Sequence, residues 1–270
     1  STTLTASGAQ NYAWSNGLGN TPSVTVSPVT TTVYTVTGTD ANGCTASKDV
    51  EVEVYEKPAP IISGATEICE GDYTTLTADE ANAVAWEWST GAKTQSIDVY
   101  EAGTYTVTVT GKGGCTTQAT AIVTYKTPVS GSISGGETPV CQGSTVILTA
   151  SGGKTYKWDY NGFDSPTLTL TNIQTTGTYW VTITGDNGCT QRLSRTVIVN
   201  PKPTVDITGN LTFCEGGSTT LTAVGTGTVL WNTGETTKAI TVTADGDYTV
   251  TLTDANGCTA EKSVHVKRNA

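Results

Sequence analysis

The sequence predicts an all-β protein built as a tandem array of small two-layered sandwiches. One sequence motif recurs at a nearly constant spacing. In order, it contains a Cys, a Trp followed by a short turn, a Gly-x-Tyr-x-Val-x-Val run and a Gly-Cys pair. Cys69, Cys141 and Cys214 are 72 and 73 residues apart, which is typical of equal domains in a row rather than of one large domain. The chain also alternates polar and apolar residues, and it lacks helical periodicity.

The alternation is clearest over residues 104–110. Tyr105, Val107 and Val109 fall on one face of the segment, and threonines occupy the other face. This period of two predicts a strand with one buried and one hydrated face, and the β-branched threonines favour such a surface. No segment of helical length shows a convincing 3.6-residue period, so no helix is expected.

The second repeat shows the expected elements in order. Pro58 and Pro60 stop the preceding strand, and Ile61 begins the first strand of the repeat. A turn at 69–72 leads into the next strand, and a glycine-rich hairpin at 111–114 leads into the last strand. The strands expected after the first turn are 74–78, 84–88, 96–99, 104–110 and a final strand that ends near Tyr125.

The other repeats carry the same signals. Asn42-Gly43, Asn187-Gly188 and Asn256-Gly257 are Asn-Gly pairs, which favour tight hairpins because both central residues adopt positive φ. About seven short strands per repeat, with a Cys, Trp, Cys order, indicate an immunoglobulin-like β-sandwich. We expect four such domains, at 1–56, 57–127, 128–200 and 201–270, of which the first lacks its first strand and first Cys.

Two aromatic positions of each repeat are expected in its core. A Trp and a Tyr recur at equivalent places on inward faces of strands. The predicted core residues are Trp14, Trp88, Trp158 and Trp231 together with Tyr34, Tyr105, Tyr179 and Tyr248.

The Trp-Ser-x-Gly turn and the Gly-x-Tyr-x-Val-x-Val-x-Asp-x-x-Gly-Cys phrase resemble the Ig-like and PKD-like tandem repeats of Bacteroidota surface adhesins. These include gliding-motility adhesins exported by the type IX route, and the resemblance covers essentially the whole chain. It implies an extracellular place on the bacterial cell surface. It also implies neighbouring repeats of a longer protein, other copies in a filament and surface glycans as candidate partners. One departure from antibody domains is that the second Cys follows the Tyr by ten residues.

The cysteines predict disulfides. Regular Cys spacing without any Met indicates an oxidising compartment, and domains of this size often need a covalent link. The preferred scheme pairs within repeats, as Cys69–Cys115, Cys141–Cys189 and Cys214–Cys258, and leaves Cys44 unpaired in this segment. The two turns involved lie at opposite ends of a standard sandwich, whereas a bridge needs Cα atoms within ~7 Å. A staggered scheme, with Cys69–Cys189 and Cys141–Cys258, therefore remains open.

Composition argues against several function classes. The net charge of −10 disfavours nucleic acid and anionic membranes as partners, and no apolar run reaches the ~20 residues of a membrane span. His265 is the only histidine, so neither a Ser-His-Asp nor a Cys-His catalytic site can be assembled. The sequence contains no Cys-x-x-Cys pair of the kind that binds zinc, and Asp245-Gly246-Asp247 is too short for a calcium-binding loop. We therefore expect no enzyme activity, catalytic residue, metal or cofactor.

Trp180 is the one candidate binding residue. It falls on an outward face where other repeats have Thr35, Thr106 and Thr249. Its ring could stack on a sugar or lie beside Arg192 or Arg195, and packing within the repeat is the preferred expectation.

The expected function is that of a stiff, disulfide-stapled segment of a surface adhesin or filament. A spacer or glycan-binding module of a secreted polysaccharide-degrading enzyme is the alternative. We expect the chain to continue upstream of Ser1. Donation of the missing first strand by another chain, which would polymerise the protein, is a further possibility.

Overall fold

A computed structural model describes residues 1–269, and it is almost entirely β-structure. Within these residues the single helical element is one 3₁₀ turn at Ser15–Gly17. The chain divides into two compact units, Ser1–Lys126 and the residues from Thr127 onward. Each unit contains two repeats, and each repeat has a separate hydrophobic core. The all-β prediction is confirmed.

The first repeat has five strands. In chain order they are β1 (Thr2–Thr5), β2 (Asn11–Trp14), β3 (Ser23–Val26), β4 (Thr32–Thr39) and β5 (Thr45–Val52). β1 pairs with β3 in one sheet, and the other sheet has the order β2-β4-β5.

The second repeat has seven strands, two more than the first. They are β6 (Ile61–Ser63), β7 (Glu67–Ile68), β8 (Thr74–Asp79), β9 (Ala83–Trp88), β10 (Ser96–Val99), β11 (Gly103–Gly111) and β12 (Thr116–Tyr125). One sheet has the order β10-β8-β6 and the other the order β7-β12-β11-β9. β7 runs parallel to β12, while the remaining pairs are antiparallel.

The third repeat follows the second, with one extra short strand. Its strands are β13 (Ser132–Ser134), β14 (Val140–Cys141), β15 (Val146–Ser151), β16 (Thr155–Trp158), β17 (Thr167–Leu170), β18 (Gly177–Thr184), β19 (Thr190–Val197) and β20 (Val199–Asn200). The sheets are β13-β15-β17 and β16-β18-β19, and β14 pairs in parallel with β20.

The fourth repeat again has seven strands. They are β21 (Asp206–Gly209), β22 (Thr212–Cys214), β23 (Thr219–Val224), β24 (Thr228–Trp231), β25 (Ala239–Val242), β26 (Gly246–Thr253) and β27 (Thr259–Asn269). β21-β23-β25 form one sheet, and β22-β27-β26-β24 form the other, with β22 parallel to β27.

The tryptophan of every repeat is buried and fixes the loop that follows it. Its indole N–H donates to a backbone carbonyl six or seven residues later, which satisfies the one polar atom of the ring. The four bonds are Trp14 to Thr21 (3.0 Å), Trp88 to Thr94 (2.9 Å), Trp158 to Ser165 (3.0 Å) and Trp231 to Thr237 (3.0 Å). One residue type at one position therefore anchors both the core and a loop.

The tyrosines form a second recurring feature. Tyr34 is buried, and the other three are half-buried. The Tyr105 hydroxyl donates to the carbonyl of Glu101 at 2.9 Å, and the Tyr248 hydroxyl donates to Ala244 at 3.0 Å. This bond four residues back along the chain closes the corner before β11 and before β26.

Candidate functional site

The cysteines of the chain lie in two kinds of turn, and the first is the hairpin before the last strand of each repeat. In the fourth repeat, Asp254 Oδ1 accepts hydrogen bonds from the N–H groups of Asn256 (2.9 Å) and Cys258 (2.8 Å). In the first repeat, Asp40 holds the N–H groups of Asn42 and Cys44 in the same way. Such side-chain turns set the backbone locally. The second Cys is therefore held in one conformation whether it is bonded or free.

The other kind of turn presents the first Cys. Cys141 ends the short strand β14, and its carbonyl accepts the N–H of Ser144 at 3.0 Å. Cys214 ends β22 in the same manner, and its carbonyl accepts the N–H of Gly217 at 2.9 Å. Each first Cys thus lies where a short parallel strand turns back towards the sandwich.

One disulfide joins the two kinds of turn across neighbouring repeats. Cys141 of the third repeat is bonded to Cys258 of the fourth, with a Cα–Cα distance of 5.4 Å and a sequence separation of 117. Cys258 is fully buried, so the bond is shielded from solvent on that side.

The within-repeat pairs expected from the sequence are wrong. Cys141–Cys189 and Cys214–Cys258 are contradicted by the Cys141–Cys258 bond, and Cys69–Cys115 by the free state of Cys115. In the fourth repeat Cys214 lies opposite Asn269, at the end of β27, whereas Cys258 directly precedes its start. An 11-residue strand spans roughly 35 Å, and a disulfide needs Cα atoms within ~7 Å. The two cysteines of one repeat therefore cannot meet.

Within residues 1–269, three thiols are free and exposed: Cys44, Cys115 and Cys214. Cys69 and Cys189 are disulfide-bonded.

The hairpin of Cys115 is built differently from that of Cys258. It contains Gly111, Gly113 and Gly114 where the fourth repeat has the Asp-Ala-Asn-Gly turn. A Cβ on Gly113 would lie 2.7 Å from the ring of Tyr55, which belongs to the first repeat. The Tyr55 hydroxyl donates to the carboxylate of Glu53, and this bond to an anion raises the pKa of Tyr55. The sequence analysis missed this contact, although three closely spaced glycines indicate a close approach of another chain segment.

Trp180 packs within its own repeat. The guanidinium of Arg192 lies 4.5 Å from the centre of its indole ring, and Arg192 also forms an ion pair with Asp159. Arg195 instead bonds the carbonyl of Ile133. Trp180 keeps 40% of its surface exposed, so one side of the ring is stacked while part of the ring still faces solvent.

The titratable groups elsewhere are mostly exposed. His265 Nδ1 lies 2.7 Å from Asp247 and its Nε2 lies 3.7 Å from Asp245, with all three side chains half-exposed or more. Burial, followed by the neighbouring Tyr160, raises the pKa of Tyr179. Residues 1–269 contain no group of three or more His, Cys, Asp or Glu side chains placed to hold a metal. No helix in the same residues is long and apolar enough to span a bilayer.

Comparison with known proteins found one family match and several similar solved structures. A family described as "Ig-like domain CHU_C associated" matches residues 128–201. Among solved structures, the N-terminal four Ig domains of Dscam1 isoform 4.4 share 14% identity, with 88% of this chain and 81% of that chain covered and a TM-score of 0.23. Murine CEACAM1b shares 15% identity, with 53% and 100% covered and a TM-score of 0.25. No curated protein matches.

The family match and the sheet order together confirm the predicted fold class. The chain is a tandem array of Ig-like β-sandwiches, and a disulfide joins the third and fourth of them. Domains of this type with disulfides indicate an extracellular structural or adhesive module, since disulfides persist in oxidising compartments.

Proposed function

We propose that this chain is a structural and adhesive segment of a bacterial surface adhesin or surface filament, in which it acts as a stiff, disulfide-stapled stalk. The observation that carries the proposal is the Cys141–Cys258 bond, which links two neighbouring repeats rather than bracing one. Its domains are the four repeats bounded at 1–56, 57–127, 128–200 and 201–270. Its partners are neighbouring repeats, other copies in a filament and surface glycans, and its chemistry is non-catalytic.

The cross-repeat bond has a direct mechanical consequence. When the two ends of the chain are pulled apart, force reaching Cys141 passes through the disulfide to Cys258. The residues between them form a closed loop, which this bond shields from tension that enters at Cys141. A stalk built in this way resists extension even if a sandwich inside the loop opens.

Single-molecule pulling of the full chain tests this mechanism. The intact protein should extend less than the Cys141→Ser/Cys258→Ser variant, because the bond keeps residues between the two cysteines from adding to the extension. Cys214→Ser is the matched control, since it removes an exposed free thiol and should leave the extension unchanged. Equal extension of the intact protein and the double variant would contradict the stapled stalk.

The surface location has its own test. Antibodies raised against the chain should label intact cells of the source bacterium without permeabilisation. Labelling that requires permeabilised cells would contradict a place on the cell surface.

A glycan-binding role is the second candidate, and it depends on the exposed part of the Trp180 ring. Aromatic rings bind sugars through their apolar faces, and one side of this indole is already held in place by Arg192. Binding of the chain to a glycan array should then be lost in Trp180→Ala. The control is Tyr125→Ala, which removes an exposed aromatic side chain of another repeat.

A further inference from the structure

We propose that the outer face of the β16-β18-β19 sheet, which carries Lys157, Trp180 and Arg192, binds an acidic glycan. Sugar rings of the glycan stack on exposed aromatic side chains. An anionic substituent of the glycan, a carboxylate or a sulfate ester, pairs with the ammonium group of Lys157. This inference rests on the glycan-binding candidate described above, for which it names the binding face and the ligand chemistry. It is independent of the stapled stalk.

The third repeat differs from the others in its exposed aromatic side chains. Trp180 is partly exposed, at a position where the other repeats have threonine. Tyr160 and Phe163 belong to the loop after β16, and both are exposed. The N–H of Asp159 donates to the carbonyl of Trp180 at 3.0 Å, so this loop starts directly beside the tryptophan. The equivalent loops of the other three repeats contain no aromatic residue. Aromatic rings that keep an open face can stack on the apolar faces of sugars.

Two cationic side chains lie on the same face as the tryptophan. Lys157 of β16 lies opposite Thr182 of β18, and Thr182 lies opposite Arg192 of β19, so the three residues form one row across the sheet. Trp180 is two residues from Thr182 in β18 and therefore lies on the same side of the sheet. Diagonal neighbours on adjacent strands are about 7–8 Å apart, which long and aromatic side chains can span. One ligand can therefore contact Trp180 and Lys157 together.

The two cations differ in their availability to a ligand. Arg192 is held by the carboxylate of Asp159 and by the ring of Trp180. Lys157 is exposed, and within residues 1–269 no acidic side chain forms an ion pair with it. Hydrogen bonds between two charged groups are stronger than those to a neutral hydroxyl, so the ammonium group of Lys157 favours an anion. The other repeats have no cation at this position, where they carry Ala13, Glu87 and Leu230.

A groove beside this row has room for a sugar ring. Its volume is about 470 Å³, which lies within the range of small-molecule binding sites. Lys157, Thr155, Thr182 and Asp164 are among the residues that line it. The two threonine hydroxyls and the carboxylate of Asp164 can form hydrogen bonds with sugar hydroxyl groups. The groove therefore combines a cation for the anionic substituent with polar groups for the rest of the ring.

The charge balance of the repeats favours this location for an acidic ligand. The third repeat contains four Lys or Arg residues and four Asp or Glu residues, so its net charge is zero. The first and second repeats each have four more acidic than basic residues, and the fourth has two more, which accounts for the −10 of the whole chain. An anionic ligand is therefore repelled least by the third repeat.

Binding of defined oligosaccharides to the intact chain tests the inference. The probes are an oligogalacturonate with its neutral methyl ester, and a sulfated galactan oligosaccharide with its desulfated form. We expect at least one acidic probe to bind about 10-fold more tightly than its neutral counterpart, which lacks the charged hydrogen bond. Isothermal titration calorimetry measures the dissociation constants. The pair that shows the preference identifies carboxylate or sulfate as the recognised group.

Variants of the chain assign the preference to Lys157. Lys157→Gln should abolish the preference for the acidic probe, whereas Lys157→Arg should keep it. The matched control is Lys238→Gln, which removes an exposed lysine of the fourth repeat and should leave binding unchanged. Trp180→Thr, which matches the residue type of the other repeats, should weaken binding of the acidic and neutral probes alike.

A gain of affinity provides a readout that misfolding cannot imitate. Asp159→Asn removes a carboxylate from the face and frees the guanidinium group of Arg192. The acidic probe should then bind more tightly, while binding of its neutral counterpart should stay the same.

The possible outcomes separate the ligand chemistry from the wider roles of the chain. Equal binding of acidic and neutral probes that is lost in Trp180→Thr would overturn the acidic ligand and leave the glycan-binding candidate standing. Absence of binding by all four probes would overturn both. A preference for acid that persists in Lys157→Gln would overturn the assignment to this face. None of these results bears on the stalk, which depends on the Cys141–Cys258 bond.

Discussion

The junction between the third and fourth repeats is closed, whereas the junction between the first and second is open. In the closed junction, Cys141 bonds Cys258, and the core of the third repeat is sealed by Ile133 and Val140. In the open junction, Cys115 is a free thiol, and the core of the first repeat is only partly covered. The hairpins that present the second Cys are formed in both cases. The two junctions therefore differ in their covalent link and in how completely the preceding core is buried.

The two cysteines of one repeat cannot form a disulfide with each other. The first and second Cys of one repeat are a strand length apart, so each bond needs a neighbour. The short parallel strand that ends at the first Cys, such as β14, packs on the core of its own repeat. It also places that cysteine next to the following repeat. Packing within a repeat and covalent linkage between repeats therefore depend on one element.

The largest expected effect comes from opening the closed junction. Cys141→Ser/Cys258→Ser should destabilise the third and fourth repeats by about 4–5 kcal/mol, from the entropy of a loop of more than a hundred residues. Hydrogen exchange measured separately for each repeat checks this. Protection in the first repeat should stay unchanged, and unchanged protection in the third and fourth repeats would contradict the role of the bond.

The cores of the third and first repeats should differ in how much one leucine contributes to the free energy of unfolding. Leu148→Ala should cost about 2–5 kcal/mol because the residue is fully buried and a cavity remains. Leu4→Ala, at the equivalent position of the first core, should cost less than about 2 kcal/mol because its side chain is only partly buried. Unfolding free energies from exchange in each repeat provide the comparison, and equal costs would mean that the first core is sealed.

The open junction has a steric prediction of its own. Gly113→Ala should destabilise the contact with Tyr55 by about 1–3 kcal/mol, since the added Cβ would lie 2.7 Å from the ring. Adding Tyr55→Ala should relieve most of that cost. Exchange protection of the 111–115 hairpin measures both variants, and a purely additive double variant would show that the two residues do not press on each other.

The repeats should also differ in the stability that the hydroxyl group of the recurring tyrosine contributes. Tyr248→Phe should cost about 1 kcal/mol, since it removes the hydroxyl bond to Ala244. Tyr179→Phe should have little effect, because no such corner bond is found for Tyr179 within the described residues. Thermal unfolding followed by exchange in the third and fourth repeats distinguishes them, and a larger loss for Tyr179→Phe would reverse this assignment.

The smallest effect is a dependence on alkaline pH. Burial raises the pKa of Tyr179 above its ordinary value of 10.0, so the unfolded chain loses this proton first as pH rises. The contribution of Tyr179 to stability is complete below pH 10.0 and is lost as pH rises through the folded-state pKa. Tyr179→Phe should flatten this decline in the third repeat, and an unchanged decline would assign it to other groups.

The sequence by itself determined the strands and the core aromatics. Alternation with a period of two marks β8, β11 and their equivalents. The Trp positions recur because each places a buried ring with a hydrogen bond to a nearby carbonyl, and Tyr105 and Tyr248 make a similar bond at a corner. These features depend on residues close together in the chain, so local patterns predict them.

Only the tertiary structure decided the disulfide partners and the short parallel strands. β7 and β14 have two residues each, too few for any period to be visible. The choice between within-repeat and staggered pairing depends on which ends of the sandwiches meet, a distance set by strand length and by the packing of one repeat against the next. Such distances between residues far apart in the chain are a property of the folded protein, because bond formation requires close approach in space and places no requirement on sequence order.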